Sequence, residues 1–526
     1  MASERPTREQ HLSATRRLRR LRLGTALGAL LGLAALLLSA CGSGGTAGPA
    51  AGGGSATLKW ATSYFPSHWD PVVSGSGAQF RLLALVYASL TRTDEKGNAV
   101  PDLAESWTYN EAGDEVTFHL RPNLTFSDGE PVNAEAVKKA IERAKTQQNS
   151  ALFGDLTSIE SVTTSGELDV VVHLTQVDHQ IPLLLGQRVL QIASPRAAAD
   201  PDRLDQNPVG AGPFVVEQLI PGTKAVLRKN PDYWDAANIH IDRVELVSAP
   251  DPATVVSGLQ TGVYNFADLP PSQAKAARDA GLDVFVQPGF NAANISLNIN
   301  KPPFDNPKVV DALRHAVNRQ EFVDKLTFGY GEATDQPFPE GYIAYDPESK
   351  NRYPHDPDKA RRLLAEAGYQ PGEIKLDLVI PTENPAAEIV QSQLAAIGIT
   401  VDIRIDKNWA TPFFAKDLTF SLYGTTGRDS AVQTLTAHFG PDGPLNLSSP
   451  YQPEGVEEAI AKVRQTPLDA PEYPQVLREA TRAGLASRAL IFTYSQPNLF
   501  AKHPSISDLP ANPGHVDWTG VTIGGA

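Results

Sequence analysis

Residues 372 to 406 restrict the fold of this chain more than any other stretch. Ile374, Leu376, Leu378 and Ile380 recur at every second position, as in a strand, and a helical pattern through Ile389 to Ala396 follows. Ile399, Val401, Ile403 and Ile405 then alternate again. A strand, helix, strand unit of this length favours a parallel sheet with a right-handed crossover, so one part of the molecule is expected to be doubly wound.

The same grammar runs along the chain from Leu58 onward, without low complexity, internal repeats or a second long apolar run, which indicates mixed α/β architecture. In Val116 to Leu120 every second residue is apolar, Ser127-Asp128-Gly129 supplies a turn, and a helix begins near Asn133 with Val137, Ala140 and Ile141 facing inward. Asn306-Pro307 and Asp356-Pro357 each offer an N-cap followed by proline at the first helical position. Val309, Leu313, Ala316 and Val317 form the apolar stripe of the first of these helices. Ala360, Leu363, Leu364 and Ala367 form that of the second, with Gly368 as its C-terminal cap. Proline-containing joints at Asn207-Pro208, Pro270-Pro271 and Pro302-Pro303 read as loops and candidate boundaries.

With 526 residues, 41% of them hydrophobic, the chain is long enough for several packed domains. Its N-terminus has three parts: a basic run at Arg16, Arg17, Arg19, Arg20 and Arg22, an apolar stretch from Leu23 to Leu38, and Ser39-Ala40-Cys41. That pattern is an export signal, although the apolar stretch also approaches the length of a membrane anchor. Leu38-Ser39-Ala40-Cys41 resembles the lipobox of bacterial lipoproteins, which implies cleavage before Cys41 and a lipid on its sulfur. The Gly/Ser/Ala-rich stretch up to Ser55 then serves as a flexible tether. Whether the Arg16-Arg17 pair marks twin-arginine export stays open. Residues 1–40 carry seven Arg and two Glu, so their removal takes the formal charge from -14 to about -19, which argues against a nucleic-acid partner. Cys41 is the only cysteine, so no intrachain disulfide, cysteine-ligated metal or thiol nucleophile is available.

Several ordered segments resemble the peptide/nickel class of solute-binding proteins that serve ABC importers, extracellular solute-binding family 5. They are Pro101-Asp102-Leu103-Ala104-Glu105-Ser106-Trp107, Phe118 to Arg121 with Phe126 to Val132, and Pro208 to Phe214 with Lys229 to Trp234. Pro303-Phe304-Asp305 with Ala312 to Arg319, and the helix from Asp358 to Tyr369, complete the series. The resemblance implies a periplasmic-binding-protein-like, two-lobed α/β fold of the three-domain, peptide-binding type, with mixed sheets and a ligand cleft between lobes. Its division here would be leader 1–40, lipidated tether 41–55, lobe I from 56–90, 208–290 and 491–526, domain II 91–207 and lobe III 291–490. The implied protein is a lipid-anchored monomer on the extracytoplasmic face of the cell membrane. It would hold a small solute, with a peptide as the family default, by hinge closure and deliver it to permease and ATPase subunits. No cofactor, metal or catalytic residue is expected.

By the same resemblance, Tyr64, Phe65, His68 and Trp69 fall where the first strand exits toward the cleft. Trp409, Phe413, Phe414 and Tyr423 fall on the opposite wall, near Arg428 and Asp429. Each group is equally readable as loop or core packing. Peptide-binding members carry a Gly-Trp, an acid and an Asp-Pro in the last region, whereas this chain reads Tyr423-Gly424-Thr425-Thr426-Gly427-Arg428-Asp429-Ser430. Asp429 is a substitute for the acid if the loop shifts, and Arg428 a clamp for a carboxylate or phosphate, or a solvated loop charge. Trp107, Phe118, Phe126, Tyr233 and Trp234 read as core aromatics. Gly210 and Gly212 read as backbone turns, since Pro213 and the lack of a following Lys-Ser/Thr break the phosphate-loop pattern.

Two rival classes remain in view. A secreted hydrolase lacks any Gly-x-Ser-x-Gly, His-Glu-x-x-His or cysteine nucleophile, and His173 with His179 makes a poor metal pair. A lipid-anchored sensor or chaperone would use the same fold and cleft.

Overall fold

The computed structural model describes residues 55–524, apart from 75–76, 187, 250, 426–429, 511 and 513–515. The leader, Cys41, the tether up to 54, Arg428 and Asp429 lie outside the described residues. Among the described residues no helix is long and apolar enough to cross a membrane.

Along the first half of the chain the strands are β1 (Thr57–Thr62), β2 (Thr91–Thr93), β3 (Ala99–Pro101), β4 (Ala104–Tyr109), β5 (Glu115–Leu120), β6 (Ile159–Ser165) and β7 (Asp169–Leu174). Then come β8 (Phe214–Ile220), β9 (Lys224–Lys229), β10 (Arg243–Ser248), β11 (Phe266–Asp268) and the long β12 (Asp283–Leu297). The remainder are β13 (Glu332–Ala333), β14 (Lys375–Ile380), β15 (Thr400–Ile405), β16 (Phe420–Thr425) and the long β17 (Leu490–Lys502).

One mixed sheet runs through the molecule in the order β15-β14-β16-β12-β17-β11-β1-β10-β9-β8, with β13 added to β17. The β14-β15 pair is parallel from Lys375↔Thr400 to Ile380↔Ile405, with the helix Pro385–Ala395 between them, as the sequence pattern predicts. At the other end β1 is parallel to both β10 and β11. A separate antiparallel sheet, β4-β5-β7-β6, forms the inserted domain, and β2-β3 is a small ribbon.

The predicted caps at Asn306 and Asp356 close their helices, and Asn133 caps a third. Asn133 accepts from Ala136 N ahead of the helix Ala134–Thr146, Asn306 from Lys308 N ahead of Pro307–Ala316, and Asp356 from Lys359 N ahead of Pro357–Glu366. Each such bond contributes about 1 kcal/mol. Beyond the last helix Gly368 takes φ +93°, a left-handed conformation that ends a helix cheaply only in glycine.

The buried apolar residues divide along the same line as the sheet. One cluster unites β1, β8 to β10 and the ends of β11 and β17 with the inserted domain, from Leu58 and Trp60 through Phe118 and Ile141 to Phe266, Phe500 and Trp518. A second fills the β14-β15-β16 end with Leu313, Leu378, Val390 and Phe420. A third packs the helices Ala431–Phe439, Val456–Gln465 and Tyr473–Gly484 together. Phe118, Phe126 and Tyr233 are buried, as expected of core aromatics, while Trp107 and Trp234 are partly buried against the first cluster.

The chain bends at 211–213, in keeping with the expected turn, but Gly210 and Gly212 answer a further requirement. Neither has a positive φ. Instead the 210–214 segment lies directly on the 85–86 backbone, with Gly212 N donating to Val86 O at 2.8 Å and Phe214 N to Leu85 O at 2.9 Å. A Cβ on Gly210 would stand 2.2 Å from Val86 O, so the requirement is close backbone approach.

Candidate functional site

The pairing registers place the site. β11 lies antiparallel to β17, with Phe266 opposite Lys502 and Asp268 opposite Phe500, so the carboxyl ends of β11 and its parallel neighbour β1 point toward the middle of β17. On the other side β16 lies antiparallel to β12, with Phe420 opposite Leu297 and Thr425 opposite Ala292. The carboxyl ends of β16 and of the parallel β14 and β15 therefore point toward the middle of β12. Two carboxyl edges thus converge on the same stretch of the β12-β17 pair, and ligands of open α/β sheets bind beyond such edges.

That stretch is also where the pairing breaks. Gln287 faces Asn498 and Asn291 faces Gln496, which leaves Pro288, Gly289 and Phe290 opposite the single residue Pro497. Proline supplies no N–H for a ladder, so prolines on both strands leave a local gap in the hydrogen bonding between lobes. Two strands with an interrupted ladder are the covalent joint between cores that are otherwise separate.

On the first wall Thr62 ends β1, Tyr64 follows it half exposed, and Asp268 ends β11. The Arg81 guanidinium lies 6.0 Å from the Tyr64 ring centre and 5.5 Å from that of Phe500. Burial pushes the Asp268 carboxyl above its usual range, against the pull of the Arg81 charge, the Thr62 side chain and the Ser63 backbone. Arg81 and Asp268 form no direct ion pair among the described residues, and Arg81 Nη1 and Asp268 Oδ2 are buried without a hydrogen-bond partner. Behind them Trp60, Phe266, Phe500 and Trp518 pack edge to face and stacked at centroid distances of 5.1 to 6.4 Å.

The other residues of the 64–69 segment turn away from this wall. Phe65 packs against Trp69 with centroids 6.1 Å apart, and Trp69 is buried. Asp205 holds the turn, accepting from Trp69 N at 2.7 Å and Asp70 N at 2.8 Å, with His68 Nδ1 also 2.7 Å away.

On the second wall Trp409, Phe413 and Tyr423 form one stack. Trp409 and Phe413 lie 4.4 Å apart, and Tyr423 lies 5.7 Å from Trp409 and 5.4 Å from Phe413, all with rings within 28° of parallel. Trp409 Nε1 donates to Ser421 Oγ, which in turn donates to Val379 O, so the stack is fixed to β16 and β14. Trp409 and Phe413 are buried, Tyr423 is partly buried, and Phe414, set edge-on to Phe413, is 49% exposed. Among the described residues no ring contact joins this group to Tyr64, Phe65 or Trp69.

Sequence reading missed Arg81 and Asp268. Nothing marks Arg81 apart from other helix arginines, and Asp268 gains meaning only once β11 is known to end at the convergence of the two edges.

A two-lobed architecture of this kind, with a candidate site at the joint, matches the fold of a class of binding proteins. HbpA2 from Haemophilus parasuis superposes with a TM-score of 0.76 at 26% identity, over 89% of this chain and 99% of that one. The ABC transporter-associated periplasmic binding protein DppA from Helicobacter pylori, in complex with the peptide STSA, shares the fold with a TM-score of 0.75 at 22% identity, over 89% and 98% of the two chains. The model of the bacterial extracellular solute-binding proteins, family 5 middle region, matches residues 98–445, and the chain belongs to this family. Its relatives include di/tripeptide-binding protein 3 of Pseudomonas aeruginosa (29% identity, 64% of this chain and 70% of that protein). Heme-binding protein A of Haemophilus influenzae is 28% identical over 70% of this chain and 74% of that protein. Family and relatives are binding proteins of the extracytoplasmic space rather than enzymes.

Proposed function

We propose that this protein is a lipid-anchored receptor of an ABC importer, which encloses a peptide or peptide-like solute between its lobes and passes it intact to the permease. The observation that carries this reading is the convergence of the two carboxyl edges on an interrupted two-strand joint. Enclosure about such a joint makes contacts with both walls available only when solute bridges them. A ligand that favours the closed form shifts the population that a transporter selects. Tyr64 on one wall, and Tyr423 and Phe414 on the other, are the proposed apolar surfaces for the solute, with Arg428 and Asp429 as the proposed polar contacts. The division into lobes I, II and III follows the boundaries given above.

Several relatives are named for peptides, which favours a peptide ligand. Mass spectrometry of small molecules released from the purified, denatured protein tests the assignment: a peptide or peptide-like compound at near-unit stoichiometry is the expected result, and a turned-over product would favour an enzyme. For the anchor, Cys41→Ser is expected to move the protein from the membrane fraction to the soluble fraction.

A further inference from the structure

The inserted domain touches the third lobe through residues of neither β12 nor β17. At 178–180, just before the short helix Ile181–Leu184, the chain meets the end of the helix Val456–Gln465 and the start of Tyr473–Gly484. Arg464 Nη1 pairs with Asp178 Oδ2, and the Asp178 side chain is 3% exposed. His179 N donates to Arg464 O at 2.8 Å, occupying a carbonyl of the last helical turn. Tyr473 OH donates to Gln180 Oε1 at 3.0 Å, and Ser430 Oγ, the cap of the helix Ala431–Phe439, lies 3.4 Å from the same oxygen. The 178–180 turn is itself fixed to the inserted domain. Gln180 N donates to Asp178 Oδ1, Tyr109 OH at the end of β4 donates to Asp178 O, and the Tyr109 ring lies 4.3 Å from that of His179. A second touch is made where the Tyr342 ring covers Gly97, in the turn between β2 and β3, so closely that a Cβ there would stand 2.2 Å from Cε2.

These contacts bridge two bodies that share no core. The inserted domain packs into one apolar cluster with β1 and β8 to β10, whereas the partner helices belong to another. Any rotation at the β12-β17 joint therefore displaces Asp178 and Gln180 relative to Arg464 and Tyr473. The contact is also finely balanced. The ion pair and the hydroxyl bonds favour it, while a desolvated carboxylate and a Gln180 Nε2 left without an acceptor oppose it. An interface required only to hold permanently would be expected to bury apolar surface here instead.

We propose that Asp178, Gln180, Arg464 and Tyr473 form an interlobe latch: positioning residues that set the closed-state population, and hence solute retention, without touching the solute. The proposal rests on capture by enclosure, but its test needs no solute. In a Cys41→Ser background, spin labels on cysteines replacing the exposed residues Thr164 and Glu458 report the separation of the inserted domain and third lobe in solute-free protein. Arg464→Met and Asp178→Asn are each expected to lower the ratio of short-distance to long-distance populations by at least about fivefold, the scale of coupling between groups in direct contact. Arg464→Lys, which keeps a charge but loses the planar fork, should fall between. Far-UV circular dichroism and the melting transition verify that each variant is folded. Unchanged distances in Arg464→Met and Asp178→Asn, with only a lower melting temperature, would make the contact fixed packing and overturn the latch. Failure to find a bound solute would count against the receptor reading alone.

Discussion

Asp102 shows how a residue that looks like one more surface acid in a motif becomes a fixed point of the fold. Its carboxylate accepts from Trp234 Nε1 at 2.8 Å and from Ser89 N at 3.0 Å, and its own carbonyl accepts from Arg121 Nε at 2.7 Å. The Arg121 guanidinium then covers the Trp234 ring at 4.0 Å. Two of the segments that carry the family resemblance, 101–107 and 229–234, are thereby tied together. Asp102→Ala leaves two donors unpaired in a buried site and removes the largest of the negative charges acting on Arg92, so a loss of about 3 kcal/mol is expected in chemical denaturation. Solute binding by the variant that remains folded should change little. His119 offers a milder test. The hydrogen bond that its ring donates to the Asp169 carboxylate holds its imidazole above the ordinary histidine pKa. The associated stabilisation is present below the unfolded value of about 6.5 and is lost as pH rises through the raised value. An NMR titration should place the His119 midpoint above 6.5, and Asp169→Asn should bring it down.

At the scale of elements, the parts that announce themselves in sequence are those whose signals are local. The Asn306-Pro307 and Asp356-Pro357 starts, the β14-helix-β15 unit and the alternation of Val116, Phe118 and Leu120 all depend on neighbours within one or two turns. The two longest strands do not announce themselves. Pro288-Gly289 breaks β12 into two short apolar runs, and Pro497 does the same to β17, so neither reads as a continuous strand until its partners are known. The site was legible to a similar degree. The aromatic residues at 409–423 are reached through the family resemblance, whereas Arg81, Asp268 and Gln180 acquire their surroundings from positions far away in the chain. The interrupted joint also carries an expectation for hydrogen exchange. Amides of Gln287, Gly289, Phe290, Asn291, Gln496 and Asn498 should exchange faster than those of Ile295, Leu297 or Phe500 in the same strands, because local opening is easiest where the ladder is already broken. Equal protection along both strands would show that the break does not act as a hinge.

For the molecule as a whole, solute should raise the melting temperature and reduce the radius of gyration together, since ligand binding favours the native state and enclosure brings the lobes nearer. A rise in melting temperature with no compaction would place the solute on one lobe only. The continuous sheet has another outcome, for how such a chain can be divided. Because β12 and β17 each pair with neighbours in both halves of the sheet, a division between the halves truncates both long strands at once and leaves each fragment with only part of their mutual ladder. Half of this protein is therefore a poor unit for expression or for genetic exchange. Variation is better tolerated in the loops at the converging edges, where a new cargo preference can arise while the shared backbone span stays intact.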